Sequence, residues 1–409
     1  MEKQKKIRYD TLTHAVCILF LVYTILRTYE LFGIRMSDLA DYLLIFVYLI
    51  RCGLNKKALP RRLNVYFVFW IVSIVVSSVW SGLNGLRPIL GVVHSYLFYV
   101  LLFDKTKTQL LLHYYRIIAI VCIGFFFMQE AAFYTTGVRF SGLIPGLSIV
   151  SDFGNVSEFV QAQMHGNRSS SFFSEPAHFV QFLLPLLSIE LFGGNDKKHR
   201  IRALVVVITL LLLQSGNAML GLTVIGIMFF IKRLAESRST STIIGTIITF
   251  CSVVIGGGYY LSTEKGQALL AREDQLSLTS YESGQSGFLR IYRGYYVYDN
   301  LEPIEKIIGV NDFSTLKERI KTSKVGFMFD ASDTYFNAVQ DILIRTGVIG
   351  LIIFISFLVS VWRGNNYLGK SLVLCLSALC FISAIYMTST MALFLILSLK
   401  SNELIENQI

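Results

Sequence analysis

Apolar runs bounded by clusters of polar and charged residues recur from one end of the chain to the other. They predict helices at about 13–32, 38–54, 64–80, 86–103, 116–135, 172–192, 201–214, 217–231, 242–261, 337–361, 371–387 and 389–399, twelve in all. Several are shorter than the roughly 20 residues that a straight crossing of a bilayer needs. The pair between Arg202 and Lys232 could therefore be one long helix or two short ones. Lys197, Lys198, Arg200 and Arg202 precede that stretch, Lys232, Arg233 and Arg238 follow it, and Ser215-Gly216-Asn217 offers a turn at its middle. A hairpin keeps both basic ends on the cytoplasmic side, so two helices are expected. From 371 to 399 the only break is a weak one between Tyr386 and Thr390, with Lys400 the only charge that bears on it.

Composition removes the soluble alternative. Of 409 residues 54% are hydrophobic and 16% charged, with 31 Phe and 21 Tyr. One water-facing globule cannot bury that much apolar surface, because single cores stop growing near ~250 to 300 residues. The fold class expected is all-α, a polytopic transmembrane helix bundle of about twelve spans with a large extracytoplasmic loop containing short helices. The formal net charge of +10 then reports orientation rather than a nucleic-acid partner. With an amino terminus in the cytoplasm, 21 of the 37 Lys and Arg fall in cytoplasmic segments, while the short outer loops hold single arginines such as Arg35, Arg87, Arg139 and Arg168. The first apolar run contains Arg27 and has no small-residue cleavage site before it, so it is expected to stay as the first helix. Cys17, Cys52, Cys122, Cys251, Cys375 and Cys380 lie in or beside apolar runs without metal spacing, and read as packing or lipid-facing residues.

This organisation divides the chain into N-terminal transmembrane helices (1–135), an outer loop with an amphipathic segment (136–171), central transmembrane helices (172–261), a large outer loop (262–336) and C-terminal transmembrane helices (337–409). The large loop has 75 residues, nine basic and eleven acidic, so any anion bound there must be held by a few placed arginines. Long loops on one face of a bundle more often carry function than merely connect.

Three constellations carry candidate chemistry. In Arg168-Ser-Ser-Ser-Phe-Phe-Ser-Glu-Pro-Ala-His178, Ser174, Glu175 and Pro176 have the form of a helix start, with Ser as the cap. That leaves His178 and Gln181 unexplained on an apolar helix, and Glu175 and His178 share a face at i, i+3. In Ser286-Gly-Phe-Leu-Arg290-Ile-Tyr-Arg293-Gly, the arginines meet on one face if the segment is helical. Two guanidinium groups side by side repel unless an anion lies between them, and the planar fork suits phosphate; ion pairs to Asp299 or Glu302 are the plainer alternative. In Asp330-Ala-Ser-Asp333-Thr-Tyr-Phe-Asn337, Asp333 or Thr334 can cap the following helix. Asn337, a neutral amide at the membrane edge, needs partners, and a substrate hydroxyl is one candidate.

The order of these pieces resembles the polysaccharide polymerase and ligase superfamily, typified by Wzy O-antigen polymerases and WaaL-type O-antigen ligases. Arg168 to His178 resembles its Arg…Phe-x-Glu-Pro-x-His/Asn element, and Ser286-Gly-x-x-Arg290 lies in the corresponding outer loop. Pro303…Gly309-Val310-Asn311 is similar to its Pro-x-x-Gly-x-Gly turn, and Asn337…Gly347-Val348-Ile349-Gly350 opens a late helix. The resemblance covers about half the chain. Two positions depart from the pattern: Phe336 stands where ligases carry His, and Asn311 where a second Gly is common. The first favours a polymerase over a ligase.

What the resemblance implies is a GT-C-like membrane glycosyltransferase of the bacterial inner membrane. It would join undecaprenyl-pyrophosphate-linked oligosaccharide units of O-antigen or capsule at the outer face, with no metal and no cofactor. Arg168, Arg290 and Arg293 would hold the donor pyrophosphate. Glu175 would act as base or orient Arg168, with desolvation tending to raise its pKa and Arg168 opposing that. His178, Asn337 and Asp333 would contact substrate. A chain-length regulator and a flippase are the implied protein partners, beside the lipid bilayer itself. The alternatives are an O-antigen ligase and a flippase or transporter for the same lipid-linked sugars. Transporters tend to have short outer loops and related halves, which this chain lacks.

Overall fold

A computed structural model describes residues 11–36, 61–80, 108–150, 168–194, 196–237, 291–326, 336–386 and 388–406, with isolated positions between these stretches. Thirteen helices and three short strands lie among the described residues. In chain order they are α1 (Thr11–Leu26), β1 (Tyr29–Leu31), β2 (Ile34–Arg35), α2 (Arg61–Trp80), α3 (Thr108–Thr136), β3 (Ser148–Ile149), α4 (Pro176–Phe192) and α5 (Lys197–Leu212). There follow α6 (Gly216–Glu236), α7 (Arg293–Asp299), α8 (Pro303–Ile308), α9 (Phe313–Thr322), α10 (Ala338–Arg363), α11 (Tyr367–Cys380), α12 (Ser389–Leu399) and α13 (Ser401–Glu406).

Among the described residues three helices are long and apolar enough to cross a membrane: α3, α6 and α10, of 29, 21 and 26 residues. At 1.5 Å per residue each exceeds the ~30 Å hydrocarbon layer. Shorter apolar helices lie in five of the other expected runs, and Leu213–Ser215 separates α5 from α6. The expected run at 86–103 and nearly all of those at 38–54 and 242–261 lie outside the described residues.

The all-α expectation is corrected in one place. The run expected as helix over 13–32 stops at Leu26, and β1 pairs antiparallel with both β2 and β3 in the order β2-β1-β3. Phe32 and Gly33 turn the β1–β2 hairpin with φ of 53° and 76°. Positive φ at both central residues matches the right-handed twist of the strands. Strands of two or three residues are too short to leave a hydrophobic period of their own.

Contact density divides the chain into two units. The first holds α1, the sheet, α3, α4, α5 and α13; the second holds α2, α7 to α12 and most of α6. In the first unit Pro185 interrupts α4, and the buried hydroxyl of Tyr115 from α3 enters the opened turn. It accepts from the Leu186 N–H at 3.1 Å and donates to the Phe182 carbonyl. Membrane helices tolerate proline where a neighbour satisfies the freed backbone in this way. At the far end of α4 the carboxylate of Glu190 is fully enclosed, 2.6 Å from Arg116 Nε, 2.9 Å from Arg202 Nε and 2.7 Å from His199 Nδ1. One buried carboxylate thus ties α3, α4 and α5 together, and removing it would leave two arginines uncompensated, at roughly 3 to 5 kcal/mol. Cys17, Cys122, Cys375 and Cys380 are buried and free, as packing residues would be.

In the second unit, α7 to α9 close over a core of Val297, Leu301, Val310, Leu316, Ile320, Val325, Phe336 and Ile344. The described stretch 291–326 is thus built from short helices. Ile344 belongs to α10, so that core is built directly on a membrane-length helix.

Candidate functional site

In the first unit the serine run after Arg168 is fastened residue by residue. Gln129 of α3, buried, accepts the Ser171 N–H at 2.9 Å and donates to the Phe140 carbonyl at 2.8 Å. Ser171 itself donates to the Cys122 carbonyl at 2.7 Å. Gln163 accepts the Gly142 N–H at 3.0 Å and donates to the Phe173 carbonyl at 3.3 Å. Arg139, buried with its guanidinium 3.7 Å from the centre of the Phe133 ring, donates through Nε to Ser169 Oγ at 2.8 Å and to Glu130 at 3.3 Å. Ser169 also donates to Glu130. Arg139, read from the sequence only as a lone outer charge, is thus part of the frame that presents Arg168.

Arg168 reaches from this frame to the α5–α6 turn, where its Nη1 donates to the Gln214 carbonyl at 3.2 Å. The helix start is arranged differently from expectation. Glu175, not Ser174, is the N-cap of α4, and it makes no side-chain cap; Ser174 Oγ instead lies 2.9 Å from His178 Nδ1. Proline at the first helical position is accommodated because no N–H is needed there. Glu175 is exposed at the surface of the helix start, while Gln181 is buried. Arg168, Glu175 and His178 thus belong to one ordered segment.

In the second unit Arg293 opens α7 and is only 1% exposed, its guanidinium 5.5 Å from the centre of the Phe336 ring. The acids that the sequence offers as its plainer partners are engaged elsewhere: Asp299 with Lys306 at 3.8 Å, and Glu302 with Arg319 at 2.5 Å. Asn337 caps α10, accepting the Gln340 N–H at 2.9 Å, while Gln340 returns its side chain to the Asn337 N–H at 3.4 Å. This reciprocal box replaces the cap expected from Asp333 or Thr334. It also gives Asn337, 1% exposed, the partners that a buried amide requires. Arg290 and Asp333 lie outside the described residues.

The two glycine-bearing motifs, far apart in sequence, meet. Gly347 interrupts α10 with φ of 67°, and a Cβ there would stand 2.1 Å from the Ile307 carbonyl oxygen; a Cβ on Gly309 would stand 2.3 Å from the Arg345 carbonyl carbon. The end of α8 is laid into the break in α10, backbone on backbone. The break frees carbonyls, and they are satisfied by the Val310 N–H on Ile344 at 2.8 Å and by Ser77 Oγ on Arg345 at 2.5 Å. Beside the junction Asn311 donates to Ser78 Oγ at 2.7 Å, and Arg345 pairs with Asp341 at 2.5 Å. Asn311 thus has a packing role at the junction. Asp341 and Arg345 were not singled out from the sequence, although two charges one turn apart inside an apolar helix are a visible signal.

Asp312 caps α9, and its carboxyl is held below the ordinary carboxylate value. Burial, the largest influence, pushes it up, but hydrogen bonds from Ser314 and Thr315 together outweigh that. No protein-family model matches this chain, and no curated protein matches it in sequence.

Proposed function

We propose that this chain is a membrane-embedded glycosyltransferase, a polymerase of undecaprenyl-pyrophosphate-linked oligosaccharides working at the outer face of the bacterial inner membrane. In this reading it crosses the bilayer about twelve times, with its amino terminus in the cytoplasm. The reaction breaks the bond between the donor's anomeric carbon and pyrophosphate and forms one from that carbon to an acceptor sugar hydroxyl. The hydroxyl proton passes to a base, and undecaprenyl pyrophosphate leaves with the electron pair. Arg168 and Arg290 stabilise the charge that grows on the leaving oxygens, and Glu175 is the carboxylate that follows Arg168 on the same segment. One preorganised donor of this kind is worth roughly 10² to 10³ in rate.

The observation that carries the reading is the meeting of Gly309 with Arg345 and Thr346 and of Gly347 with Ile307 and Ile308. The turn and the late helix enter the family resemblance as separate motifs, and here each glycine is needed for the other's approach. The test is a strain lacking the chain: surface glycan collapses from a ladder to a single repeat, and wild type restores the ladder while Glu175→Ala or Arg290→Ala does not. Long polymer stranded on its lipid would instead identify a ligase, and single units trapped inside would identify a flippase.

A further inference from the structure

Arg116 of α3 and Arg202 of α5 each spend Nε on Glu190, one on either carboxylate oxygen, at 2.6 and 2.9 Å. His199 brings Nδ1 to 2.7 Å from Oε2, and its place is tight: a Cβ on Gly194 would stand 2.8 Å from the ring's Cδ2. One carboxylate thus fixes two guanidinium groups whose charge exceeds its own. Arg116 Nη2 is buried without a hydrogen-bond partner, an enclosed donor that an anion would satisfy. Lys197, Lys198 and Arg200 stand exposed at the start of α5, beside the exposed Asp196 that caps it. Five Lys and Arg side chains therefore gather against the two carboxylates of Glu190 and Asp196.

The depth of the cluster says what kind of anion suits it. From Ile117 to Thr136 α3 runs for ~30 Å, the thickness of the hydrocarbon layer, with Glu130 its only charge. With α3 crossing a bilayer, Arg116 stands where the hydrocarbon begins. Beyond the arginines both helices carry exposed aliphatic side chains: Ile117, Ile120 and Val121 on α3, and Leu204, Val205 and Ile208 on α5. A guanidinium fork with donors to spare, set at the head of such a face, matches a phosphodiester joined to acyl chains. The surplus of positive charge favours a net anionic headgroup over a zwitterionic one, whose ammonium would meet the α5 lysines. We propose that this end of the first unit binds an anionic phospholipid, with Arg116 and Arg202 on its phosphate and its acyl chains along the exposed faces of α3 and α5. The site is separate from the segment that carries Arg168, because Glu175 and Glu190 lie at opposite ends of α4, on the order of 20 Å apart along its axis.

The test follows thermal unfolding of the full chain in a neutral detergent as phosphatidylglycerol, phosphatidylcholine or inorganic phosphate is added. Phosphatidylglycerol raises the melting temperature by a few degrees and saturates, while the other two leave it unchanged. Arg202→Lys and Arg116→Lys keep the charge that Glu190 needs but lose the fork. Their unliganded melting temperatures stay near wild type, and their apparent affinity for phosphatidylglycerol falls about tenfold. If Arg116→Lys does not fold, Arg202→Lys decides. Lys197→Gln with Lys198→Gln removes exposed charge alone and changes the affinity by no more than about threefold. Absence of protection by phosphatidylglycerol overturns the inference. Equal protection by inorganic phosphate overturns the lipid, and equal protection by phosphatidylcholine overturns the charge selection. Arginine variants that bind as wild type overturn it too, as does a larger loss in the double lysine variant, which would show diffuse surface attraction. None of these outcomes touches the polymerase reading, in which Arg116 and Arg202 have no part.

Discussion

Around Arg168 the chain is held by side-chain amides, hydroxyls and the Arg139–Glu130 pair, whereas around Arg293 it is held by an apolar core and by backbone laid on backbone at two glycines. The first construction is a set of separate hydrogen bonds, each worth about 0.5 to 1.5 kcal/mol net. It should lose stability gradually as its bonds are removed. The second is steric, and a single added methyl group meets a peptide that cannot move aside. Placement of a charged segment can thus be secured either by many weak polar ties or by one close approach, and the two differ in how they fail.

Substitution at the junction gives the largest expected effect. Gly347→Ala introduces a Cβ 2.1 Å from the Ile307 carbonyl at a positive φ, and should cost more than about 3 kcal/mol, seen as a collapse of the thermal transition in detergent. Gly226→Ala in α6 is the control: nothing lies within 4 Å, so it should be neutral or raise stability by up to about 1 kcal/mol. Equal behaviour of the two variants would remove the steric half of the comparison.

Gln129→Leu tests the polar half. It strips one acceptor from the Ser171 N–H and one donor from the Phe140 carbonyl, at about 2 kcal/mol in the same measurement. A loss as large as that of Gly347→Ala would show that the Arg168 segment is also an all-or-none construction.

The smallest effect belongs to the α9 cap. Asp312→Ala should cost about 1 kcal/mol at pH 7. The carboxyl of Asp312 is depressed in the folded state, so its contribution is complete above the unfolded value near 3.9 and disappears as pH falls through the lower folded value. Wild type and variant should therefore converge below about pH 4, measured as the gap between their unfolding curves.

The same contrast explains what was legible in the sequence. Apolar runs report helices because burial of a helix face is local and periodic, and the α5–α6 break is reported by Ser215-Gly216-Asn217 midway between the basic clusters at 197–202 and 232–238. The glycines at 309 and 347 and the arginines at 168 and 293 stood out as residue types. Their contacts did not, because Gly309 meets Arg345 and Gln340 meets Ile291 across long stretches of chain, and a single sequence carries no mark of which distant residues touch. Gln129 and Gln163 read as ordinary polar residues until their amides are seen bonded to the serine segment. Tyr115 inserted at Pro185 and the arginines gathered on Glu190 are likewise invisible until helices pack. Asn337 was noticed because a buried amide needs partners, and Gln340 supplies one of them through the capping box.

The central claim is tested most directly by purified chain in nanodiscs given single lipid-linked repeat units and a chelator of divalent metals. The account predicts a ladder of lengthening products with release of undecaprenyl pyrophosphate, undiminished by the chelator. It predicts the ladder to be reduced roughly 10² to 10³-fold in Arg168→Lys and Arg290→Lys, which keep the charge but lose the fork. Failure of folded wild-type protein to lengthen the units, or near-normal ladders from both lysine variants, would contradict it.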